Sequence, residues 1–363
     1  EAAERPEAEL MAVLKHVRFA TMEEGFVRDT VRAWPALLGA KGKGVVSKSV
    51  APVIGSVQPL LRLGFGPRRI YLVGGAEGGR GEVGTVRAYD PALDSWCEVA
   101  SMATGRCIHA AVALGGKLYA MGGWSMVENT TLAEAEVYTK ADGWQPLLSM
   151  PTARKYFAAT AVAGKLYAIG GENDDDYCDA VEAYDPLSGA WTRVASLPEA
   201  RSHHTAAVVD GKIYVLGGEI DDDEGEPVAT DRVHVYDPAA DSWQQMAAMP
   251  TVKHSHAAAV LDGKIYASGG FATTSGEISD ALEAYDPVAN AWTTLASLRR
   301  GRVDHTSAVV RGKLYVFGGV SYSSGGRMDL VEVYNPASNS WAQAGHDWHD
   351  MPAAIDELVA VAL

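Results

Sequence analysis

Apolar residues in this chain come in short runs of four or five, closed by glycine. The clearest is GKIYVLGG at 211–218, in which Ile213 and Val215 form one alternate set and Tyr214 and Leu216 the other. Both sets are apolar, as expected of a strand covered on both faces. Close copies recur near residues 116, 164, 263 and 312, with a weaker one at 68. The glycine pairs that end them stand at 74/75, 122/123, 170/171, 217/218, 269/270 and 318/319, giving spacings of 48, 48, 47, 52 and 49 residues. A period of this length predicts a propeller or a solenoid.

Each glycine pair leads into a variable polar loop and then an apolar strand carrying a tyrosine, at Tyr89, Tyr138, Tyr184, Tyr236, Tyr285 and Tyr334. Six or seven residues later comes a tryptophan: Trp96, Trp144, Trp191, Trp243, Trp292 and Trp341. An alanine- and valine-rich strand, such as HAAVAL at 109–114, precedes the next glycine-pair strand, which makes four strands per repeat. Glycine permits backbone angles closed to other residues. Tyrosine and tryptophan supply buried area with a polar tip. The first glycine-pair strand lacks its alanine/valine partner, while the chain ends on an unpartnered LVAVAL at 358–363. The C-terminus is therefore expected to complete the first blade and remove a free sheet edge.

Residues 6–38 carry a different period. Leu10, Met11, Leu14 and Val17, then Met22, Phe26, Val27, Val31 and Trp34, recur at helical spacing. Two amphipathic helices are predicted, the second ending near Pro35. From 49 to 67 the absence of periodicity and the Ser, Pro and Gly content predict a linker.

Glycine pairs, tyrosine and tryptophan at these offsets resemble the kelch repeat over 68–363. The segments LKHVRF and ATMEEGFVRDTVRAWPAL within 14–38 resemble the end of the BACK domain that lies between BTB and kelch regions in cullin-RING ubiquitin ligase adaptors. The lysine- and glycine-rich GAKGKGVVSK at 39–48 departs from that family's next helix. The resemblance implies an all-β, six-bladed kelch β-propeller closed by the C-terminal strand. BACK-like helices at 1–48 and the linker at 49–67 would precede it. It also implies a non-catalytic substrate-recognition module that is cytoplasmic, with nuclear residence also open. A cullin would be reached only through a BTB region that these residues do not contain.

Composition narrows the partner. A net charge of −15 and a pI near 5.1 argue against nucleic acid, which needs a basic surface. No apolar run approaches a membrane span. Cys97, Cys107 and Cys178 show no metal-ligand spacing, and an odd number does not suit a disulfide framework, so reduced, intracellular thiols are expected. No nucleophile, phosphate-loop or metallohydrolase motif is present, and neither cofactor nor metal is expected.

Ten residues before the Gly-Lys of each strand stands a cation: Arg106, Arg154, Arg201, Lys253 and Arg302, with Ile355 at the sixth place. Repeat symmetry turns equal positions into a ring. A cationic ring at one channel mouth would favour an acidic ligand, although arginine here could equally serve the repeat's own structure. In the kelch adaptors that this chain resembles, arginines at matching positions bind acidic peptides, which implies a protein partner with an acidic motif. Three residues further on lie His109, Phe157, His204, His256, His305 and Leu358, where histidine is read as structural rather than metal-binding. Trp124 and Phe271, each directly after a glycine pair, and Tyr322 nearby are aromatic residues in polar loops and are candidate anchors for a partner. The acidic runs at 172–176 and 221–226 read as solvated loop tips. Two other readings stay open: a sugar-acid mutarotase and an actin-binding scaffold, both known among kelch proteins.

Overall fold

The computed structural model describes residues 69–78, 81–174, 176–272, 276–322, 326–343 and 350–363. They belong to one compact unit, Arg69–Leu363. The helices and linker expected in residues 1–67 lie outside the described residues. Among the described residues there is no α-helix.

The repeat folds into six four-stranded antiparallel sheets. In the fourth, for example, Thr205–Val209 pairs with Lys212–Leu216, which pairs with Val233–Asp237, which pairs with Ser242–Gln245. The GKIYVLGG strand is second from the inside, and its Ile213, Tyr214, Val215 and Leu216 are all buried. Both alternate sets are buried because a neighbouring sheet covers each face. The core accordingly lies between sheets: Ile169 and Val181 of the third pack with Ile213, Val215 and Tyr236 of the fourth.

The first sheet draws on both ends of the unit. Val359–Ala362 pairs with Ile70–Val73, in the register Ile70 to Ala362. The innermost strands touch in a cycle, from Ala110–Leu114 through each sheet in turn to Val359–Ala362 and back to Ala110–Leu114.

The repeated residues make the same contact in each sheet. The second glycine of every pair donates its N–H to a carbonyl of the next sheet, that of Arg106, Arg154, Arg201, Lys253, Arg302 or Ile355, at 2.8–3.2 Å. Such approach excludes a side chain. At Gly122 and Gly123, with φ of +57° and +98°, a Cβ would lie 2.7 Å from the Arg154 carbonyl oxygen and 2.5 Å from that of Cys107. The tryptophan indoles reach the other way. Trp144, Trp191, Trp243, Trp292 and Trp341 donate to carbonyls of the preceding sheet, those of Ala100, Leu148, Ala195, Ala247 and Ala296, at 2.7–3.0 Å. Tyr236, Tyr285 and Tyr334 donate to Asp241, Asn290 and Asn339. Those three side chains also accept backbone N–H groups of the preceding sheet, at Ala195, Ala247 and Ala296. The sheets are thus linked by polar contacts as well as by apolar packing.

Candidate functional site

The five predicted cations are present in register, but they do not face a ligand. Arg106, Arg154, Arg201, Lys253 and Arg302 are fully buried. Arg106 donates to the carbonyls of Gly122 and Glu134 at 3.0 and 2.9 Å and to the Glu136 carboxylate at 2.9 Å. Arg154 repeats this with Gly170, Ala180 and Glu182. Arg302 does so with Gly318, Leu330 and Glu332. Lys253 pairs with Glu283 at 3.3 Å. In the fourth sheet His234 stands where the second, third, fifth and sixth have glutamate, and Arg201 bonds His234 Nδ1 at 3.0 Å and pairs with Glu199.

A charge removed from water is tolerated when it is paired and hydrogen-bonded. Here each of the five cations has a carboxylate partner within its own sheet or the loop that leads to it. The expectation of an open cationic ring is therefore corrected: these residues tie the loop before each innermost strand to the third strand. Their partners were legible as a glutamate two residues before the repeat tyrosine, at Glu136, Glu182, Glu283 and Glu332. The first sheet lacks both halves of the pair, having Ile355 and Arg87 at these places.

The histidines three residues on are also buried. His204 Nε2 meets the Ile169 carbonyl, and His256 and His305 Nε2 meet the hydroxyls of Thr205 and Ser268, all at 3.1 Å. Burial and the nearby Arg106 and Arg201 push His109 and His204 down to about 3, so both are neutral. No group of three or more candidate metal ligands is gathered among the described residues.

Between these two buried levels lie two residues from each sheet, the first buried in four sheets and the second partly exposed in all six. The residue directly after each cation position bridges to the residue after the glycine pair: Cys107 to Trp124, Lys155 to Glu172, Ser202 to Glu219, His254 to Phe271 and Val303 to Val320. Asp356 pairs likewise with Ala76. The next residue, at Ile108, Tyr156, His203, Ser255, Asp304 and Glu357, has φ between 51° and 55° in every sheet. An isoleucine or tyrosine at positive φ is strained. The conformation is held by backbone bonds that pass from sheet to sheet. Tyr156 N–H donates to Ile108, His203 to Tyr156, Ser255 to His203, Asp304 to Ser255 and Glu357 to Asp304, at 2.9–3.2 Å.

Six dissimilar side chains are brought together around the axis in this way. Tyr156 stacks on His203 with ring centroids 3.7 Å apart. Glu219 lies between two imidazoles, 3.3 Å from His203 Nδ1 and 3.4 Å from His254 Nδ1, and also accepts from the Tyr177 hydroxyl. Burial lowers His203 to about 3 and His254 to about 4, leaving both rings neutral. Across the axis, burial and neighbouring carboxylates raise Asp304 to about 6 and Glu357 to about 7. Lower burial cost at Glu172 and Glu219 still raises both. The structure thus places an acidic centre where a basic one was expected.

The aromatic candidates sit on the rim. Trp124 and Phe271 are partly exposed and Tyr322 is 70% exposed. Lys155 Nζ lies 4.5 Å above the Trp124 ring, and His254 stacks on Phe271 with centroids 4.8 Å apart. Glu172, expected in a solvated acidic tip, is instead half-buried against Lys155 at 3.5 Å.

Residues 108–300 match the KLHDC2/KLHL20/DRC7 Kelch-repeats domain, and residues 301–345 match the Kelch motif. No BTB or BACK domain is found. Among solved structures the fold is similar to that titled "Structure of YjhT", with a TM-score of 0.61 and 16% identity, over 72% of this chain and 88% of that one. No curated protein sequence matches.

Proposed function

Since the chain belongs to the KLHDC2/KLHL20/DRC7-type kelch-repeat family, we propose that its Arg69–Leu363 unit is a closed six-bladed propeller that recognises a protein segment across the channel mouth. The observation that carries this reading is the rim itself. Trp124, Phe271 and Tyr322 present aromatic surface to solvent at one end of the repeat, beside polar groups that converge on the axis. Partly exposed aromatics beside charged groups are the usual anchors of a recognition surface.

The finer reading is a substrate-recognition module of a cullin-RING ubiquitin ligase adaptor, non-catalytic and cytoplasmic. It rests on the resemblance of residues 14–38 to the end of a BACK domain. No helix among the described residues is long and apolar enough to cross a membrane. An acidic partner motif loses its basis once the five cations are buried in ion pairs. The mutarotase reading is weakened for the same reason, since a sugar acid entering the mouth would meet Asp304 and Glu357.

A peptide-display selection against the full chain tests recognition. Enriched peptides should lose binding when Trp124, Phe271 and Tyr322 are replaced together by alanine. If no peptide depends on these residues, the reading fails.

A further inference from the structure

We propose that the partner segment is basic, and that an arginine or lysine side chain of it enters the mouth over His254 and Phe271, directed at Glu219, Asp304 and Glu357. The inference rests on the recognition reading above and assigns the chemistry of the segment.

The charge balance of the rim is the first support. Three positions from each sheet form it: the residue after the glycine pair and the two residues after the buried cation position. Together they supply five carboxylates, Glu172, Glu219, Asp304, Glu357 and the buried Asp356, and one cation, Lys155. Arg327 reaches Asp356 at 2.7 Å from a neighbouring hairpin. The remaining cations of the repeat are consumed by their own glutamates below the rim. A surface with such an excess of acceptors complements an ammonium or guanidinium group.

The second support is independent of charge counting and comes from comparing two parts of the rim. Between the second and third sheets, Lys155 lies over the Trp124 ring and 3.5 Å from Glu172. An aromatic face and a carboxylate there hold a lysine that belongs to the chain. Between the fourth and fifth sheets the same repeat positions hold Glu219, His254 and Phe271, with the carboxylate and the aromatic exchanged between the two sheets. His254 occupies the place of Lys155, lies 3.4 Å from Glu219 and stacks on Phe271, and it is neutral. The aromatic and the carboxylate are present and the cation is not. Cation–π attraction and a carboxylate supply the recognition that a partner's arginine or lysine needs.

Neutral imidazoles favour the same ligand. His203 Nδ1 meets the Ser202 hydroxyl at 2.8 Å and both rings stand beside Glu219, so neither sets a positive charge against an incoming cation.

Fluorescence anisotropy with two labelled peptides, (Arg-Ser)4 and (Glu-Ser)4, tests this on the full chain. The basic peptide is expected to bind saturably and at least about tenfold tighter than the acidic one, with affinity falling as salt rises. Asp304→Asn combined with Glu357→Gln should weaken it about tenfold or more. His254→Lys, which supplies a tethered cation as Lys155 does, should weaken it similarly. Replacing Asp221, Asp222 and Asp223 of the exposed loop tip by asparagine should leave binding unchanged. The inference is overturned if the basic peptide does not bind, or if only the loop-tip variant weakens it, which would mark diffuse attraction to an acidic protein. Enrichment of acidic peptides in the display selection, with dependence on Trp124, Phe271 and Tyr322, would overturn the inference and leave the recognition reading standing.

Discussion

The guanidinium of Arg106 crosses its own sheet to the carboxylate of Glu136, Nη2 to Oε1 at 2.9 Å, with both side chains buried. Glu136 also accepts the backbone N–H groups of Ala103 and Thr104, so one carboxylate secures both the arginine and the segment that leads to it. The third sheet has the equivalent pair in Arg154 and Glu182, to which Thr152 adds a hydroxyl bond at 2.6 Å.

Removing half of such a pair leaves a buried charge uncompensated. Arg154→Ala or Glu182→Ala should cost about 3–5 kcal/mol of folding stability. Charge reversal at Arg154 and Arg201 should unfold the protein rather than only abolish partner capture. The double change Arg154→Met with Glu182→Leu should recover most of the loss, because apolar replacement of a buried pair is often neutral. Denaturant melts followed by circular dichroism decide the matter. A single variant as stable as the parent would contradict the structural assignment.

The residues that build the sheets were readable because each makes one contact many times over. Glycine pairs, tyrosines and tryptophans stand at fixed offsets since a carbonyl of the adjoining sheet stands at a fixed place. The arginines shared that regularity, and this is what misled: a residue repeated around a ring is as easily a structural tie as a ligand surface. The alternation of Glu136, Glu182, Glu283 and Glu332 with the cations carried the answer in the sequence. So did the joint loss of both partners at Ile355 and Arg87. The centre of the mouth was not readable in the same way. Ile108, Tyr156, His203, Ser255, Asp304 and Glu357 have no chemical likeness, and only their common positive φ and the backbone bonds between sheets bring them together.

The indole links give a graded expectation. Trp243 donates to the Ala195 carbonyl at 2.9 Å while its ring packs on Tyr236, centroids 5.0 Å apart. Trp243→Phe keeps most of the packing and removes the donor. A loss of about 0.5–1.5 kcal/mol is expected, the usual net value of such a bond. Trp243→Ala should cost about 3–5 kcal/mol, because the ring is lost as well. In thermal melts, a Trp243→Phe variant that unfolds with the parent would show that the bond contributes nothing, and equal losses in the two variants would show that the ring packing contributes nothing.

Closure can be tested by truncation. Val359–Ala362 covers Ile70–Val73 and touches the innermost strands on either side of it. Ending the chain at Asp356 uncovers that strand and leaves an open sheet edge, a template for association with other chains. The truncated protein should aggregate or melt well below the parent. Supplying a synthetic peptide of residues 357–363 should restore part of the lost stability. Size-exclusion chromatography and thermal melts report both outcomes, and an unaltered monomer would argue against a closed ring.

Asp304 and Glu357 tie the mouth to pH in two opposite ways. Asp304 faces Ser255, Asp356 and Glu219, while Glu357 faces Asp356, Asp304, Cys107 and Arg327. With folded values of about 6 and about 7, both groups hold protons more tightly than in the unfolded chain, where about 3.9 and 4.3 are expected. Their contribution to stability is therefore fully present below pH ~4 and is lost as pH rises through about 6 and 7. At pH 8 the ionised carboxylates should cost on the order of 1–3 kcal/mol each. Asp304→Asn or Glu357→Gln should accordingly melt a few degrees above the parent at pH 8, and the advantage should shrink toward pH 5. Binding of (Arg-Ser)4 should run the other way, strongest at pH 8 and weaker as these carboxylates take up protons between pH 7 and 5.5. His203 and His254, neutral down to about 3 and 4, add no positive charge within that window. Variants that gain stability at pH 8 while losing the basic peptide would identify carboxylates held at the axis for recognition at the expense of the fold; variants that lose stability there would contradict the raised values.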